Sequence, residues 1–206
     1  DVPAESPESY YSTARRIASE TPGSFYPDQY KNQMNIEAHY RTTGPEIWDQ
    51  VDGNIDIFVA GIGTGGTLSG AGKYLKEKKP EVKIVAVDPE GSVFYDYFKT
   101  GKLPEPHVYA VEGIGEDYLV KAVDFNTINE IIQVNDQESF EMARRLSREE
   151  GIFAGGSSGS AVLAAVRYAE KNDKEQNIVV VLPDSGSRYL SKIFNDEWMK
   201  NRGYID

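Results

Sequence analysis

Two glycine-rich turns, each opening a helical pattern, hold the residues best suited to chemistry. The first is Gly61-Ile-Gly-Thr-Gly-Gly-Thr67. It interrupts Ile55–Ala60, an apolar, β-branched run with the composition of a strand buried on both faces. Thr67–Lys78 then carries Leu68, Ala71, Tyr74 and Leu75 at helical spacing. In such a strand–turn–helix the free N–H groups of the first helical turn point at a ligand, and the helix dipole favours negative charge there. Glycines let the main chain approach a phosphate, and Thr64 and Thr67 add hydroxyl donors. The chemistry predicted is capture of a phosphate. The second turn, Gly155-Gly-Ser-Ser-Gly-Ser160, opens a helix with Val162, Leu163, Ala165, Val166 and Ala169 as its apolar surface. It supplies another helix start fed by glycines and hydroxyls.

The kind of phosphate is left open by spacing alone. Gly61-x-Gly63-x-x-Gly66 satisfies the dinucleotide fingerprint, and Asp88 follows Gly66 at a spacing of 22 residues, near where a ribose-binding acid would sit. A nicotinamide-dependent oxidoreductase is therefore one class to weigh. A tight turn that merely packs a helix on a strand is a second reading, and a fragment that folds but does no chemistry is a third.

Bulk properties narrow the classes. The formal charge of −11, with acids scattered rather than run together, argues against a nucleic-acid or anionic-membrane partner. An anionic ligand must be held by local donors against that field. There is no cysteine, hence no disulfide framework and no thiol nucleophile. With only His39 and His107, a histidine-based metal site or triad is disfavoured, and no metal is expected. No apolar run reaches membrane length, so a cytoplasmic α/β enzyme is the expectation.

The positioning elements follow in order. Asp1–Glu8 reads as an extended lead-in, with Ser6 capping a helix that turns Tyr10, Ala14, Ile17 and Ala18 inward. Ser24–Tyr26 reads as a short strand, and Tyr30 beside Asp28, Gln29 and Asn32 suits either a ligand-facing group or a half-buried tyrosine. Helices are expected around Ile36–Tyr40 and Pro45–Val51, with His39 packed or at the surface. Lys83–Val87 is the next strand, and Ser92–Val111 shows no sustained period before the glycine-relieved turn Gly113-Ile-Gly115. Glu130–Val134 reads as a strand, Asp136 as the cap of a helix ending at Gly151, and Asn177–Leu182 as the last strand. Helical pieces around Tyr189–Phe194 and Glu197–Lys200 close the chain. Alternating strands and helices predict an α/β fold: a mainly parallel twisted sheet covered by helices on both faces, with ligands at strand carboxyl ends.

Several segments together resemble the cystathionine β-synthase and cysteine synthase family of fold-type II pyridoxal-phosphate enzymes. They are Asp28-Gln-Tyr-Lys-Asn32, Ala38-His-Tyr40, Thr42–Trp48, Gly63-Thr-Gly-Gly-Thr67 and Val87–Ser92, continuing with Val111-Glu-Gly-Ile-Gly115, Gly155-Gly-Ser157 and Leu182-Pro-Asp-Ser185. Val111–Gly115 and Tyr189–Met199 look more like the cystathionine β-synthase branch. The resemblance implies pyridoxal 5′-phosphate as cofactor, with Gly63, Thr64, Gly65, Gly66 and Thr67 on its phosphate and Ser157 on the pyridine nitrogen, Ser158 being the alternative. Tyr30, Gly113, Ile114 and Gly115 would line the amino-acid and thiol side. It further implies β-replacement on serine or an activated serine with a thiol such as homocysteine, cysteine synthase chemistry on O-acetylserine and sulfide being the alternative, and a homodimer. Two departures accompany it. The family's Schiff-base lysine lies upstream of the stretch corresponding to Asp1, so residues 1–206 read as the later part of the catalytic core, without a catalytic residue of their own. Glu116 stands where several relatives carry an aromatic residue, which bears on thiol preference.

Overall fold

Four apolar runs become one sheet: β1 (Ile57–Gly61), β2 (Lys83–Pro89), β3 (Glu130–Val134) and β4 (Ile178–Val180). The computed structural model describes Val2, residues 6–172 and residues 174–206. All neighbouring strands run parallel in the order β3-β2-β1-β4, with Val59 registered against Val85 on one side and Val180 on the other. Parallel strands need long crossovers, and helices supply them. α4 (Gly66–Lys78) links β1 to β2, α5 (Phe94–Thr100) lies between β2 and β3, and α6 (Asp136–Glu149) and α7 (Gly156–Glu170) lead from β3 to β4. The chain steps outward from β1 to β3 and then returns to the far side of β1. That reversal between β1 and β4 opens a crevice at the strands' carboxyl ends.

Strand alternation builds a core on each face. Phe58, Ala60, Ile84 and Ala86 pack with Leu68, Ala71 and Leu75 of α4, while Ile57, Val59, Val85 and Val87 pack with Ala164 and Ala165 of α7. A third cluster joins Ile114, Phe140, Ile193 and Met199, seating α8 (Asp196–Asn201). The expected parallel sheet with helices on both faces is what the chain forms.

Several local expectations need correction. Of the lead-in, Asp1 and Pro3 to Glu5 lie outside the described residues. Helix α1 (Tyr10–Glu20) is capped by Ser9, whose hydroxyl accepts from the Ser12 N–H at 3.2 Å; Ser6 closes a separate preceding turn. None of α1 is fully buried: of the expected inward face, Tyr10 and Ile17 are 61% and 52% exposed, while Ala14 and Ala18 are half-buried. Ser24–Tyr26 is irregular chain rather than strand. α2 (Met34–Arg41) and α3 (Thr43–Gln50) form as expected within two residues, whereas α5 occupies a stretch whose sequence shows no period. Asn135, not Asp136, caps α6; the Asp136 carboxylate instead accepts from the Ala110 and Val111 N–H groups at 2.8 and 2.9 Å. α7 buries its small face, Ser157, Ser158, Ser160, Ala161, Ala164 and Ala165, while Val166 and Ala169 are exposed. The tail forms a 3₁₀ turn over Gly186–Tyr189 in place of a helix over residues 189–194.

Candidate functional site

A cavity of about 940 Å³ opens at the carboxyl ends of β1 and β4. Its floor is the start of α4. Gly65 caps that helix at φ +82°, a left-handed conformation that an L side chain adopts only under strain, and a Cβ there would press on Val123. With no side-chain cap on α4, the first N–H groups of its 13 residues face the cavity.

Two polar residues of α2 brace this turn from behind. Asn35 Nδ2 donates to Thr64 Oγ1 at 3.0 Å and to the Gln29 carbonyl at 3.0 Å. His39 Nε2 lies 3.3 Å from Thr67 Oγ1, and its Nδ1 lies 2.9 Å from Thr43 Oγ1. Burial lowers the His39 pKa, which favours the neutral ring with one donating and one accepting nitrogen. The hydroxyls of Thr64 and Thr67 thus arrive at the cavity already oriented.

The opposite wall starts at α7, where Ser157 lines the cavity from the first helical turn. Ser158, its neighbour, is fully buried away from the cavity and its Oγ has no hydrogen-bond partner. Tyr30 and the turn Gly113-Ile114-Gly115 complete the lining. Gly115 sits at φ +81°, its N–H donating to the Ile62 carbonyl at 2.7 Å, and a Cβ there would meet the Tyr109 hydroxyl at 2.6 Å.

All ten residues singled out from sequence, Tyr30, Gly63, Thr64, Gly65, Gly66, Thr67, Gly113, Ile114, Gly115 and Ser157, line this one cavity. Asp88 does not. It is fully buried under α5, where Oδ2 accepts from the Tyr95 N–H at 2.9 Å, and burial pushes its carboxyl up to about 7. The acid that the dinucleotide fingerprint assigns to a ribose is thereby kept off the wall. No lysine among the described residues lines the cavity. Sequence reasoning passed over Asn35 and His39 as site residues. Their four-residue spacing places both on one helical face and was the available signal. Tyr11 and Tyr109 reach the site from distant segments and gave none.

The donor set suits a phosphomonoester attached to a small ring: hydroxyls and a helix start at one end, a single neutral hydroxyl at the other. Such an arrangement is that of an α/β protein with two helix N-termini facing one cavity able to accept a phosphorylated ligand. Residues 2–184 match the family described as pyridoxal-phosphate dependent enzyme, and the chain belongs to that family. It is 44% identical over 200 residues to the cystathionine beta-synthase of Apis mellifera, covering 97% of this chain and 39% of that protein. Against the cystathionine beta-synthase of Mus musculus the identity is 43% over 201 residues, covering 98% and 36%. The cysteine synthase of Buchnera aphidicola is 42% identical over 180 residues, covering 85% and 56%. The chain thus spans well under half the length of those two cystathionine beta-synthases.

Proposed function

We propose that this chain is the later, phosphate-holding part of the catalytic core of an enzyme that replaces the β-substituent of serine, or of an activated serine, with a thiol. With homocysteine the product is cystathionine. The observation that carries this reading is the convergence of both glycine-fed helix starts, Tyr30 and the Gly113–Gly115 turn on one cavity. Similarity to cystathionine beta-synthases over nearly the whole chain supports the reaction class.

In this reading Gly63, Thr64, Gly65, Gly66 and Thr67 hold the 5′-phosphate through α4 N–H groups and two braced hydroxyls. Ser157 hydrogen-bonds the pyridine nitrogen. Bound pyridoxal phosphate supplies the electron sink that makes an amino acid's α-proton removable. A serine hydroxyl, unlike a carboxylate, does not hold a proton on the ring nitrogen. Ser157 therefore tempers that sink, which suits β-replacement more than transamination. The turn at Gly113–Gly115 leaves room beside the ring for a thiol, and Tyr30 presents its hydroxyl to the amino-acid side. The lysine that attaches the cofactor is assigned outside residues 1–206.

Assaying the complete protein with serine plus homocysteine against O-acetylserine plus sulfide separates the two branches, and cystathionine formation is the expected outcome. Preference for O-acetylserine and sulfide would move the assignment to cysteine synthase, the alternative that the Buchnera relative favours. Borohydride reduction with pyridoxal phosphate should modify no lysine within residues 1–206; a modified lysine there contradicts the division of labour proposed.

A further inference from the structure

Beyond the phosphate cradle, the cavity wall carries a carboxylate that neither cofactor phosphate nor ring nitrogen calls for. Glu116 is only 9% exposed and lines the cavity immediately after Gly115. Its main chain is fixed, its N–H donating to Ser92 Oγ at 3.0 Å and its carbonyl accepting from the Val93 N–H at 3.1 Å. The Tyr11 hydroxyl donates to Oε2 at 2.8 Å, while the Tyr30 hydroxyl lies 2.7 Å from that of Tyr10. The Tyr11 ring meets those of Tyr30 and Tyr118 edge-on at 4.9 and 5.8 Å, so aromatic rings surround the group. None of the ion pairs among the described residues involves Glu116.

A carboxylate withdrawn from water is costly unless a cation or several donors meet it. Here burial holds the Glu116 pKa above the ordinary carboxylate range, so the Tyr11 hydroxyl offsets that cost incompletely. A cationic group arriving from the cavity would complete the pairing, and tyrosine faces attract the same kind of ligand. A bare sulfide or thiolate approaching alone would meet only repulsion. The first substrate's amino group is engaged by the cofactor itself, which leaves the second substrate to supply the cation.

We propose that Glu116, walled by Tyr11, Tyr30 and Tyr109, binds the ammonium group of the second substrate, so that the site selects an amino-acid thiol over inorganic sulfide. This rests on the β-replacement reading above and names the substrate feature that the site recognises.

The test uses the complete holoprotein after borohydride reduction, when the cofactor no longer accepts an amine. Calorimetry compares L-homocysteine with 4-mercaptobutyrate, which lacks only the amino group, on wild type, Glu116→Gln and Glu116→Asp. Wild type should bind homocysteine roughly tenfold or more tightly than its desamino analogue, as for a hydrogen-bonded charge pair. Glu116→Gln should bring the two within about twofold, with Glu116→Asp recovering part of the preference. Undiminished discrimination in Glu116→Gln, equal weakening of both thiols, or no discrimination in wild type overturns the proposal. Turnover of the unreduced enzyme is read separately. Cystathionine formed without discrimination sinks the ammonium site alone, whereas discrimination without β-replacement turnover sinks the reaction class alone.

Discussion

Ser157 and Ser158 are chain neighbours whose hydroxyls face different surroundings. Ser157 lines the cavity, while Ser158 Oγ is buried with no partner. Removing an unpaired buried hydroxyl relieves a desolvation cost, whereas removing a ligand-facing one loses an interaction. Ser158→Ala should leave stability equal to wild type or raised by up to about 1 kcal/mol. Ser157→Ala should shift the bound cofactor's absorbance and weaken its affinity about threefold to tenfold. An absorbance titration of both variants decides it, and reversed effects would transfer the ring contact to Ser158. Asp88 gives a second prediction at this scale. Its carboxyl titrates at about 7 because burial outweighs the Ser92 hydroxyl and the Tyr95 and Phe94 N–H groups that favour its charge. The folded chain keeps this proton where the unfolded chain has released it. The contribution is therefore fully present below about pH 4 and lost as pH rises through about 7. Asp88→Asn abolishes that titration, so its urea-unfolding free energy relative to wild type should rise between pH 5 and pH 8. A constant difference would show that Asp88 does not titrate in that window.

Helix packing governs how firmly these residues are held. A Cβ at Gly70 would lie 2.3 Å from the Ile36 carbonyl of α2, and one at Gly159 would lie 2.1 Å from the Ser139 carbonyl of α6. Backbone oxygens cannot swing aside as side chains do. Gly70→Ala and Gly159→Ala should each cost about 1–3 kcal/mol in urea unfolding. Gly70→Ala should also weaken phosphate binding, because it pushes Asn35 and His39 away from Thr64 and Thr67. Affinity unchanged in a folded Gly70→Ala chain would detach those two residues from the cradle. The same contacts explain what sequence did and did not reveal. β1, β2 and β3 were legible because their cores are apolar runs, and β3 matched end to end. The α4 turn was legible because glycines and threonines between a strand and a helix have few other uses. The inner face of α7 was not, since its buried residues are small and weakly hydrophobic, and what selects them is α6 backbone passing close by. α5 has only 7 residues, too few turns for a period to emerge. Strand order, and with it the meeting of residues 30, 63–67, 113–115 and 157, depends on long-range pairing that no local pattern encodes.

Taken together, residues 1–206 carry a formal charge of −11, facing a phosphorylated cofactor that is itself anionic. Long-range repulsion acts during approach and is screened by salt over a Debye length of about 10 Å at 0.1 M. The donors proposed to hold the phosphate act at contact, where screening is weaker. Stopped-flow association of pyridoxal phosphate should therefore accelerate as ionic strength rises toward 0.1 M, with dissociation little changed. Slower association in salt would indicate a local positive potential that overrides the net charge. The cavity's two ends also depend on different parts of the polypeptide. Ala154 bridges Ser185, the Gly155 N–H donates to the Asp184 carbonyl at 3.3 Å, and the Tyr189 hydroxyl donates to Asp184 Oδ2 at 2.7 Å. α7 is thereby moored by chain beyond the final strand, as α4 is by α2 ahead of the first. A single protease cut between Pro183 and Asp184 would separate those mooring residues from β4 and loosen only the α7 end, where the ring is proposed to lie. The bound cofactor should then tumble about its still-clasped phosphate, and its fluorescence should depolarise well before it dissociates.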